Sequence, residues 1–311
     1  NFLFGINKLE KKLIKEKIDI VHFTGMSPLA LQLKKINFGV SFWDSGHLQY
    51  PQFPESRNNY YSFENKEYLY KLLLKKSSYV ITDSIENKLN LIKQYNVEEN
   101  KINLIYSEPA IDLLKINENK ITSKKEIKSK FDIKNQEYIF YPAQFWPHKN
   151  HVYILEAISI LKKKFNKDIS VVFAGKNKFN NLNHIKNISN SLEINDHVTY
   201  AGFVNSEDLY FLYKYATALV IPTYFGPTNH LPIEGFFIGT PVIYSDLWSE
   251  TEQVKGAVLS IDLKNANSLS SKIVKNFRII LFIITIALFS LTKSLFPTST
   301  IIRQFELTLP P

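Results

Sequence analysis

The sequence contains no cysteine, which excludes disulfide bridges and thiolate metal sites and fits a reducing compartment. It also contains no Asp-x-Asp pair, one common arrangement for holding a divalent ion against a diphosphate. No Gly-x-Gly-x-x-Gly follows any predicted strand, which disfavours an NAD-dependent enzyme. With 45% hydrophobic and 22% charged residues, the chain is typical of globular rather than disordered proteins.

The N-terminal end lacks the signs of a natural start. The first residue is Asn1 and the only methionine is Met26, so we expect the first domain to be incomplete at its N-terminus. Residues 1–17 are charged and helix-like, without the apolar core and cleavage pattern of a signal peptide.

The charge is unbalanced towards the basic side, with 38 Lys and Arg against 29 Asp and Glu and a net charge of +9. A basic balance suits nucleic acids, anionic membranes and anionic small substrates equally. Because lysine and asparagine are spread over all the predicted exposed helices, a general compositional bias is favoured over a dedicated basic patch. No nucleic-acid-binding module is recognisable, so we predict no nucleic-acid partner.

Short runs rich in β-branched and aromatic residues alternate with helix-like runs, which is typical of parallel βαβ units covered on both faces. We therefore predict an α/β fold of two Rossmann-like domains that face each other across a cleft. The predicted divisions are a first domain at 1–116, a linker at 117–136 with a short helix near 124–131, a second domain at 137–265 and an atypical tail at 266–311. The predicted strands are 18–23, 39–43, 79–82, 102–106, 138–141, 169–174, 197–200, 218–222, 241–244 and 257–261, and the clearest helices are 64–76, 84–95 and 149–165.

The tail turns apolar from about Asn276, and residues 279–292 carry no charge. This run is shorter than the roughly twenty residues that span a bilayer, so a buried or interfacial segment is expected. A frame-shifted or otherwise foreign C-terminus is the alternative. We expect the tail to lie outside the functional fold, so that truncation at Leu263 leaves ligand binding unchanged.

The most informative motif is IPTYFGPTNHLPIEG at 221–235, followed by GTPVIYSD at 239–246. A strand ends at Pro222, a loop rich in glycine and proline follows, and a helix begins near His230. Free N–H groups at a helix start bind phosphate oxygens, and Gly226 permits close approach of the backbone. Glu234 lies one turn inside, where a carboxylate can accept both hydroxyls of a ribose. A plain strand–loop–helix with a glutamate stabilised by the helix dipole is the alternative.

The second motif is YPAQFWPHKNH at 141–151, again directly after a strand and before a helix. Lys149 is expected at the carboxyl edge of the sheet, where open α/β folds bind ligands. A lysine there supplies a point charge to a diphosphate. His148 and His151 are more typical of capping or surface histidines than of catalytic ones.

The third motif is FWDSGHLQYPQFPE at 42–55 in the first domain. Asp44 and His47 follow a strand end in a loop that is expected to face the cleft. A loop that is simply folded over by its own aromatic residues is an equal alternative.

In this order, the three motifs resemble the retaining glycosyltransferases of family 4, the glycosyl transferases group 1 type. The likeness is greatest to bacterial enzymes that build O-antigen and related surface polysaccharides. It extends over residues 18–262, and the stretch 198–246 resembles the family's signature region from end to end. The resemblance implies the GT-B architecture, with the donor site in the second domain and acceptor choice in the first.

The resemblance also implies roles for single residues around the first motif. Glu234 matches the second of the family's two signature glutamates and would bind the nucleotide ribose. Gly226 matches the first, so the usual carboxylate towards the donor sugar is missing here. The backbone of Thr228, Asn229 and His230 matches the loop around the diphosphate and the sugar.

In the other two motifs, Lys149 matches the family's phosphate-binding lysine. The arginine that normally precedes it is absent, and Gln144 lies nearest to that place. The histidine normally found before Asp44 is replaced by Trp43, so its role would pass to Asp44 or His47 or be lost. The catalytic candidates are Lys149, Asp44 and His47, and the donor-binding candidates are Gln144, Lys149, Gly226, Thr228, Asn229, His230 and Glu234.

The function implied is transfer of a hexose from a nucleoside-diphosphate sugar to a hydroxyl of a glycan or lipid-linked glycan, with retention of the anomeric configuration. No metal and no cofactor are expected besides this nucleotide-sugar co-substrate. We predict a cytoplasmic location, and a peripheral position at the inner face of the membrane stays open. The alternative is a catalytically inactive, truncated remnant of such a transferase.

Overall fold

The structure is a computed structural model, and it describes residues 8–57, 63–116, 122–226 and 230–275. These residues form two α/β domains, each built around its own parallel sheet. The predicted fold class, an α/β chain with two Rossmann-like domains, is confirmed. No helix in these ranges is both long enough and apolar enough to cross a bilayer.

The first domain has a four-stranded sheet whose strands follow the order of the sequence. β2 ends at Ser41 rather than at residue 43, so Trp43 and Asp44 lie in the loop beyond it. Ser84 caps the start of α5, because its hydroxyl accepts a hydrogen bond of 3.1 Å from the Asn87 N–H. The elements are α1 (Lys8–Lys15), β1 (Ile20–Phe23), β2 (Asn37–Ser41), α2 (Gly46–Gln49), α3 (Pro54–Arg57), α4 (Phe63–Lys76), β3 (Tyr79–Thr82), α5 (Ile85–Tyr95), β4 (Ile102–Leu104) and α6 (Ile111–Leu114).

The second domain has a six-stranded sheet in the order β10-β9-β8-β5-β6-β7. Every residue of β6, β8 and β9 is buried, as expected for parallel strands covered by helices on both faces. The elements are α7 (Lys124–Lys130), β5 (Glu137–Tyr141), α8 (His151–Phe165), β6 (Ile169–Ala174), α9 (Asn181–Ser191), β7 (Val198–Gly202), α10 (Ser206–Tyr215), β8 (Ala218–Ile221), α11 (His230–Ile238), β9 (Val242–Ser245), β10 (Leu259–Ile261) and α12 (Asn267–Val274).

The order of strands in this sheet reverses between β5 and β8, which are direct neighbours. From β5 the chain adds β6 and β7 on one side, and from β8 it adds β9 and β10 on the other. In open sheets of this kind, ligands bind outside the carboxyl ends of the two strands at such a reversal. These strands end at Tyr141 and Ile221, so the second and first sequence motifs begin at that place.

The predicted linker packs on the second domain where the structure describes it. The short helix expected near residues 124–131 is α7. Its Ile127 is fully buried in the core of the second domain, and Lys130 contacts the Asp208 carboxylate of α10 at 2.7 Å. This part of the linker is therefore a fixed element rather than a loose tether.

The start of the predicted tail also belongs to the second domain. α12 packs on α8, and its Leu269 and Ile273 are buried in the domain core. The Tyr153 hydroxyl of α8 donates a hydrogen bond of 2.9 Å to the Asp262 carbonyl, which fixes the chain just before α12. The boundary predicted at residue 265 is therefore too early, because α12 covers apolar surface of α8. The apolar run at 279–292 lies outside the described residues.

Candidate functional site

A cleft of about 270 Å³ lies between the two domains, at the carboxyl ends of β2, β3, β5 and β8. It therefore coincides with the reversal of strand order where a ligand is expected. Both domains contribute to its walls. The lining residues are Trp43, Asp44 and Asp83 from the first domain and His148, Lys149, Phe225, Gly226 and His230 from the second.

Lys149 is held at the rim of the second domain by a short 3-10 turn, Pro147–Lys149, and not by the α-helix predicted from residue 149. The Tyr141 hydroxyl at the end of β5 donates to the Lys149 carbonyl at 3.1 Å, which ties this turn to the sheet. Burial lowers the pKa of Lys149 to about 8, against the opposing effect of the Asp44 and Glu55 carboxylates. The Lys149 ammonium is therefore less stable than that of an exposed lysine, and a bound anion would stabilise it.

The loop after β8 forms the other side of the phosphate-binding region. The Thr223 hydroxyl donates to the Phe225 carbonyl at 3.0 Å, which turns the chain towards the cleft. Gly226 has φ +97°, a left-handed conformation that other residues rarely adopt. Thr228 and Asn229 lie outside the described residues.

The helix that follows this loop begins at His230, as predicted from the sequence. His230 lines the cleft, and its Nδ1 lies 3.3 Å from the Glu108 carbonyl of the first domain. The start of α11 therefore lies at the same cleft as Lys149 and Gly226. The first N–H groups of a helix have no partner inside the helix, so such a start is suited to an anion.

Asp44 enters the cleft from the first domain. One of its carboxylate oxygens accepts a hydrogen bond of 2.8 Å from the Gly46 N–H, which fixes the loop after β2. The cleft therefore has a carboxylate on one wall and the Lys149 ammonium on the other.

His47 does not reach the cleft, and its predicted position there is wrong. It is buried inside the first domain, where its Nε2 donates to a Glu67 carboxylate oxygen at 2.6 Å. The Tyr95 hydroxyl donates to the same oxygen at 2.7 Å. Burial lowers the pKa of His47, and the nearby Lys66 ammonium lowers it further. The side chain turns inward because α2 begins at Gly46 and directs the next residue towards α4.

Gln144 and Glu234 do not line the cleft either. Gln144 is exposed, and its side-chain oxygen accepts a hydrogen bond of 3.0 Å from the Trp146 indole. Glu234 is buried one turn inside α11, and one of its carboxylate oxygens accepts a hydrogen bond of 2.7 Å from the Tyr213 hydroxyl. The binding of a ribose by Glu234 stays a prediction.

Four further residues line the cleft that were not among the site candidates: Trp43, Asp83, His148 and Phe225. Asp83 follows β3 at the same edge of the sheet as Asp44, so its position after a strand was a usable signal. The sequence pattern favours a capping or surface role for His148, but the structure places it in the wall of the cleft.

His148 connects the two domains. Glu55 of α3 accepts hydrogen bonds from both the backbone N–H, at 2.8 Å, and the ring Nδ1 of His148. Burial alone would raise the pKa of Glu55, but these hydrogen bonds bring it below its ordinary value. Burial lowers the pKa of His148 by more than the Glu55 carboxylate raises it. Because His148 directly precedes Lys149 in the chain, the Glu55–His148 pair holds the Lys149 turn against the first domain.

Aromatic rings surround this connection. The His148 ring stacks on Phe225 with centroids 3.8 Å apart and planes at 19°. Tyr50 of the first domain also stacks on Phe225, with ring centroids 5.9 Å apart. Gly46 permits the approach, because a Cβ there would lie 2.5 Å from the Phe225 ring. The turn that carries Lys149 and the loop that carries Gly226 are thus fixed relative to each other and to the first domain.

Comparison with known proteins identifies the family. The profile of the family described as "Glycosyl transferases group 1" matches residues 123–277, the segment that contains the loops after β5 and β8. The chain belongs to the glycosyl transferases group 1 family. The resemblance to the glycosyl transferases group 1 type that the sequence motifs indicate is therefore confirmed.

A similar protein is the O-antigen chain mannosyltransferase RfbU of Salmonella typhimurium. It is 28% identical over 215 residues, which are 68% of this chain and 55% of RfbU. This group 1 chain spans about half the length of the curated relatives it matches.

Solved structures show the same architecture. Sucrose-phosphate synthase from Thermosynechococcus elongatus aligns with a TM-score of 0.69 at 17% identity, over 94% of this chain and 78% of that chain. Anabaena Alr3699/HepE in complex with UDP-glucose aligns with a TM-score of 0.69 at 16% identity, over 89% and 74% of the two chains. The GT-B fold of this group 1 chain is confirmed by these likenesses.

Within the described ranges, no three His, Asp or Glu side chains are grouped closely enough to hold a metal ion. Among the described residues that line the cleft, Lys149 carries an ammonium group, and His230 marks the start of α11, where a helix has partial positive charge.

Proposed function

We propose that this group 1 chain transfers a sugar from a nucleoside-diphosphate sugar to a hydroxyl group of an acceptor. One observation carries the proposal: Lys149 and the start of α11 lie together at the reversal of strand order in the second domain, in a cleft closed by the first domain. An ammonium group and free N–H groups at one point are suited to bind a diphosphate.

The same two groups are suited to stabilise the leaving group. When the bond between the anomeric carbon and the diphosphate oxygen breaks, negative charge accumulates on that oxygen. A positive charge fixed in a partly dehydrated cleft is most effective at stabilising such charge. Lys149 is half-buried and its turn is held from both domains, so little reorganisation is needed during the reaction. We propose that this arrangement acts without a divalent metal.

The identity of the substrates rests on the relatives. RfbU carries the name of an O-antigen chain mannosyltransferase, and the HepE structures contain UDP or UDP-glucose. We propose on this basis a hexose donor and a glycan or lipid-linked glycan acceptor of a bacterial surface polysaccharide or lipopolysaccharide. The proposal includes retention of the anomeric configuration, the cytoplasm as the location, and peripheral contact with the inner face of the membrane.

A specific observation also supports the second candidate, an inactive remnant. The family's first signature glutamate is replaced by Gly226, whose φ of +97° is unfavourable for a glutamate. The usual carboxylate contact with the donor sugar is therefore lacking at this position.

Release of nucleoside diphosphate from a panel of donors, including GDP-mannose and UDP-glucose, tests the proposal directly. We expect release that depends on an added glycan acceptor and persists in EDTA, with product of the same anomeric configuration as the donor by NMR. A chain that binds UDP or GDP but releases neither from any donor would support the inactive remnant. Activity that is lost in EDTA and restored by Mg²⁺ or Mn²⁺ would refute only the proposed metal independence and would leave the proposed sugar transfer intact.

A further inference from the structure

Trp43 is an exposed aromatic side chain inside the cleft. Its side chain and backbone together are 46% exposed, although tryptophan usually buries most of its large apolar surface. Among the large apolar side chains that the described ranges leave exposed, it is the one that lines this cleft. A ligand that covers the indole would therefore remove apolar surface from water.

The ring is also held in one orientation. The indole Nε1–H donates to the Thr24 carbonyl at 2.8 Å. The Trp43 carbonyl accepts a hydrogen bond of 2.6 Å from the Asn87 side chain, which is buried at the start of α5. An aromatic ring that is already fixed loses little conformational freedom when a ligand packs on it. These two hydrogen bonds fix the ring in place but leave Trp43 exposed in the cleft.

The groups around the ring indicate what kind of ligand it would take. Asp44 and Asp83 line the same wall, and carboxylates accept hydrogen bonds from hydroxyl groups. The two carboxylates repel phosphate, which is attracted instead to Lys149 on the opposite wall. A flat apolar surface beside hydrogen-bond acceptors is complementary to a pyranose, which has an apolar face of C–H groups and hydroxyls around its edge.

We propose that Trp43 is a stacking platform for a pyranose ring, with Asp44 and Asp83 placed to accept hydrogen bonds from its hydroxyls. This inference rests on the proposed sugar transfer. The ring could be that of the donor sugar or that of the acceptor sugar, since both must meet in the cleft. The two sources share one chemistry and are separated by the experiment.

The experiment compares Trp43→Leu, Trp43→Phe and the parent chain. Tyr68→Leu is the matched control, because Tyr68 is 67% exposed on α4 and does not line the cleft. Calorimetry measures the binding of UDP, UDP-glucose, GDP and GDP-mannose. Initial rates with the better donor then give the KM for methyl α-D-mannopyranoside as the acceptor probe.

We expect the affinity for UDP and GDP to be the same in all four proteins. If the donor sugar stacks, Trp43→Leu weakens binding of the nucleotide sugar by about tenfold, which corresponds to about 1.4 kcal/mol. If the acceptor sugar stacks, donor binding is unchanged and the KM of the acceptor probe rises by about the same factor. Trp43→Phe keeps an aromatic plane and should retain most of the affinity in either arm.

Two results would overturn the proposal. Equal weakening of UDP and UDP-glucose by Trp43→Leu would assign the ring to the nucleotide instead of the sugar. No change in any of these constants would show that the ring binds nothing. Both results are distinct from failure of the proposed function, in which the parent chain itself releases no nucleoside diphosphate from any donor.

Discussion

At the scale of single residues, the chemistry of the cleft depends on the protonation state of Lys149. Burial makes the ammonium less stable, while Asp44 from the other domain makes it more stable. An incoming diphosphate supplies further negative charge, so binding and protonation support each other.

Replacement of Lys149 by alanine tests its role in the chemical step. We expect Lys149→Ala to lower kcat by roughly 10²-fold or more, because the charge on the departing diphosphate is stabilised most in the transition state. Lys163→Ala is the control, since Lys163 is exposed on α8 away from the cleft. Equal turnover of Lys149→Ala and the parent chain would remove Lys149 from the mechanism.

The lowered pKa of Lys149 predicts how donor binding depends on pH. Without bound nucleotide, the Lys149 side chain is protonated below about pH 8 and neutral above it, so the affinity for UDP should fall as the pH rises through about 8. Above that value, binding should take up a proton, which calorimetry in buffers of different ionisation enthalpy can detect. Lys149→Arg keeps its charge and should show a flat profile between about pH 7 and 9. A decline of the same size in Lys149→Arg would assign the pH dependence to another group.

Glu234 is the predicted ribose ligand, but its described contact is internal. We expect Glu234→Gln to weaken UDP binding by on the order of 1–3 kcal/mol, because charge-assisted hydrogen bonds to the ribose become neutral ones. Tyr213→Phe removes the hydroxyl that contacts Glu234 and leaves the carboxylate in place. If Glu234 only anchors α11 on α10, both variants will lower the melting temperature while the affinity for UDP stays unchanged.

At the scale of elements, the turn before α8 and the loop after β8 are joined by His148. Its carbonyl accepts a hydrogen bond of 3.0 Å from the Tyr224 N–H, while its N–H and ring donate to Glu55 of α3. The two donor-side segments and the first domain thus meet at one residue. Glu55 and His148 are 93 positions apart in the sequence, so their hydrogen bonds are long-range contacts.

Removal of Glu55 should loosen this connection. Glu55→Ala leaves the buried N–H and ring nitrogen of His148 without their acceptor, which costs about 1–3 kcal/mol for a buried polar group. The variant should therefore lower the melting temperature clearly and also weaken UDP binding by releasing the Lys149 turn. Glu55→Gln can still accept a hydrogen bond from the His148 N–H, so it should lower the melting temperature and the affinity for UDP by less than Glu55→Ala does. The stabilisation is present above the ordinary pKa of 4.5 and is lost as the pH falls through the lower value of the folded state.

Glu99→Ala is the control for Glu55. Glu99 pairs with Lys88 at 2.7 Å on the surface of the first domain, where such pairs contribute little. If Glu55→Ala behaved like Glu99→Ala in both stability and UDP affinity, the connection through His148 would have no role in shaping the donor site.

At the scale of the whole molecule, the end of the second domain decides which truncations are tolerated. α12 covers α8 with Leu269 and Ile273, although it lies in a stretch that the sequence assigns to the tail. A chain that ends at Lys275 should therefore bind UDP as the parent does. A chain that ends at Leu263 should melt at a lower temperature or precipitate, because the apolar face of α8 becomes exposed.

Size-exclusion chromatography and calorimetry with UDP measure both truncations. Equal behaviour of the two shortened chains would show that α12 is dispensable and would restore residue 265 as the boundary. Loss of UDP binding on truncation at Lys275 would show that the predicted independence of the later tail is wrong.

The sequence alone determined the alternation of strands and helices, the division into two domains and the places where ligand-binding loops begin. These features depend on local patterns: apolar β-branched runs form buried strands, and parallel strands bring their carboxyl ends to one edge. For that reason the sequence alone predicts that Lys149, Gly226, His230 and Asp44 lie at the cleft, and the structure has all four in its lining.

Only the tertiary structure decided which side chains near those loops face the ligand. Asp44 and His47 are three positions apart, yet one lines the cleft and the other is buried against Glu67, since α2 turns between them. The partnership of Glu55 with His148 and the exposure of Trp43 depend on how the two domains pack. Such packing joins residues that are distant in sequence, and no local pattern of residues encodes it.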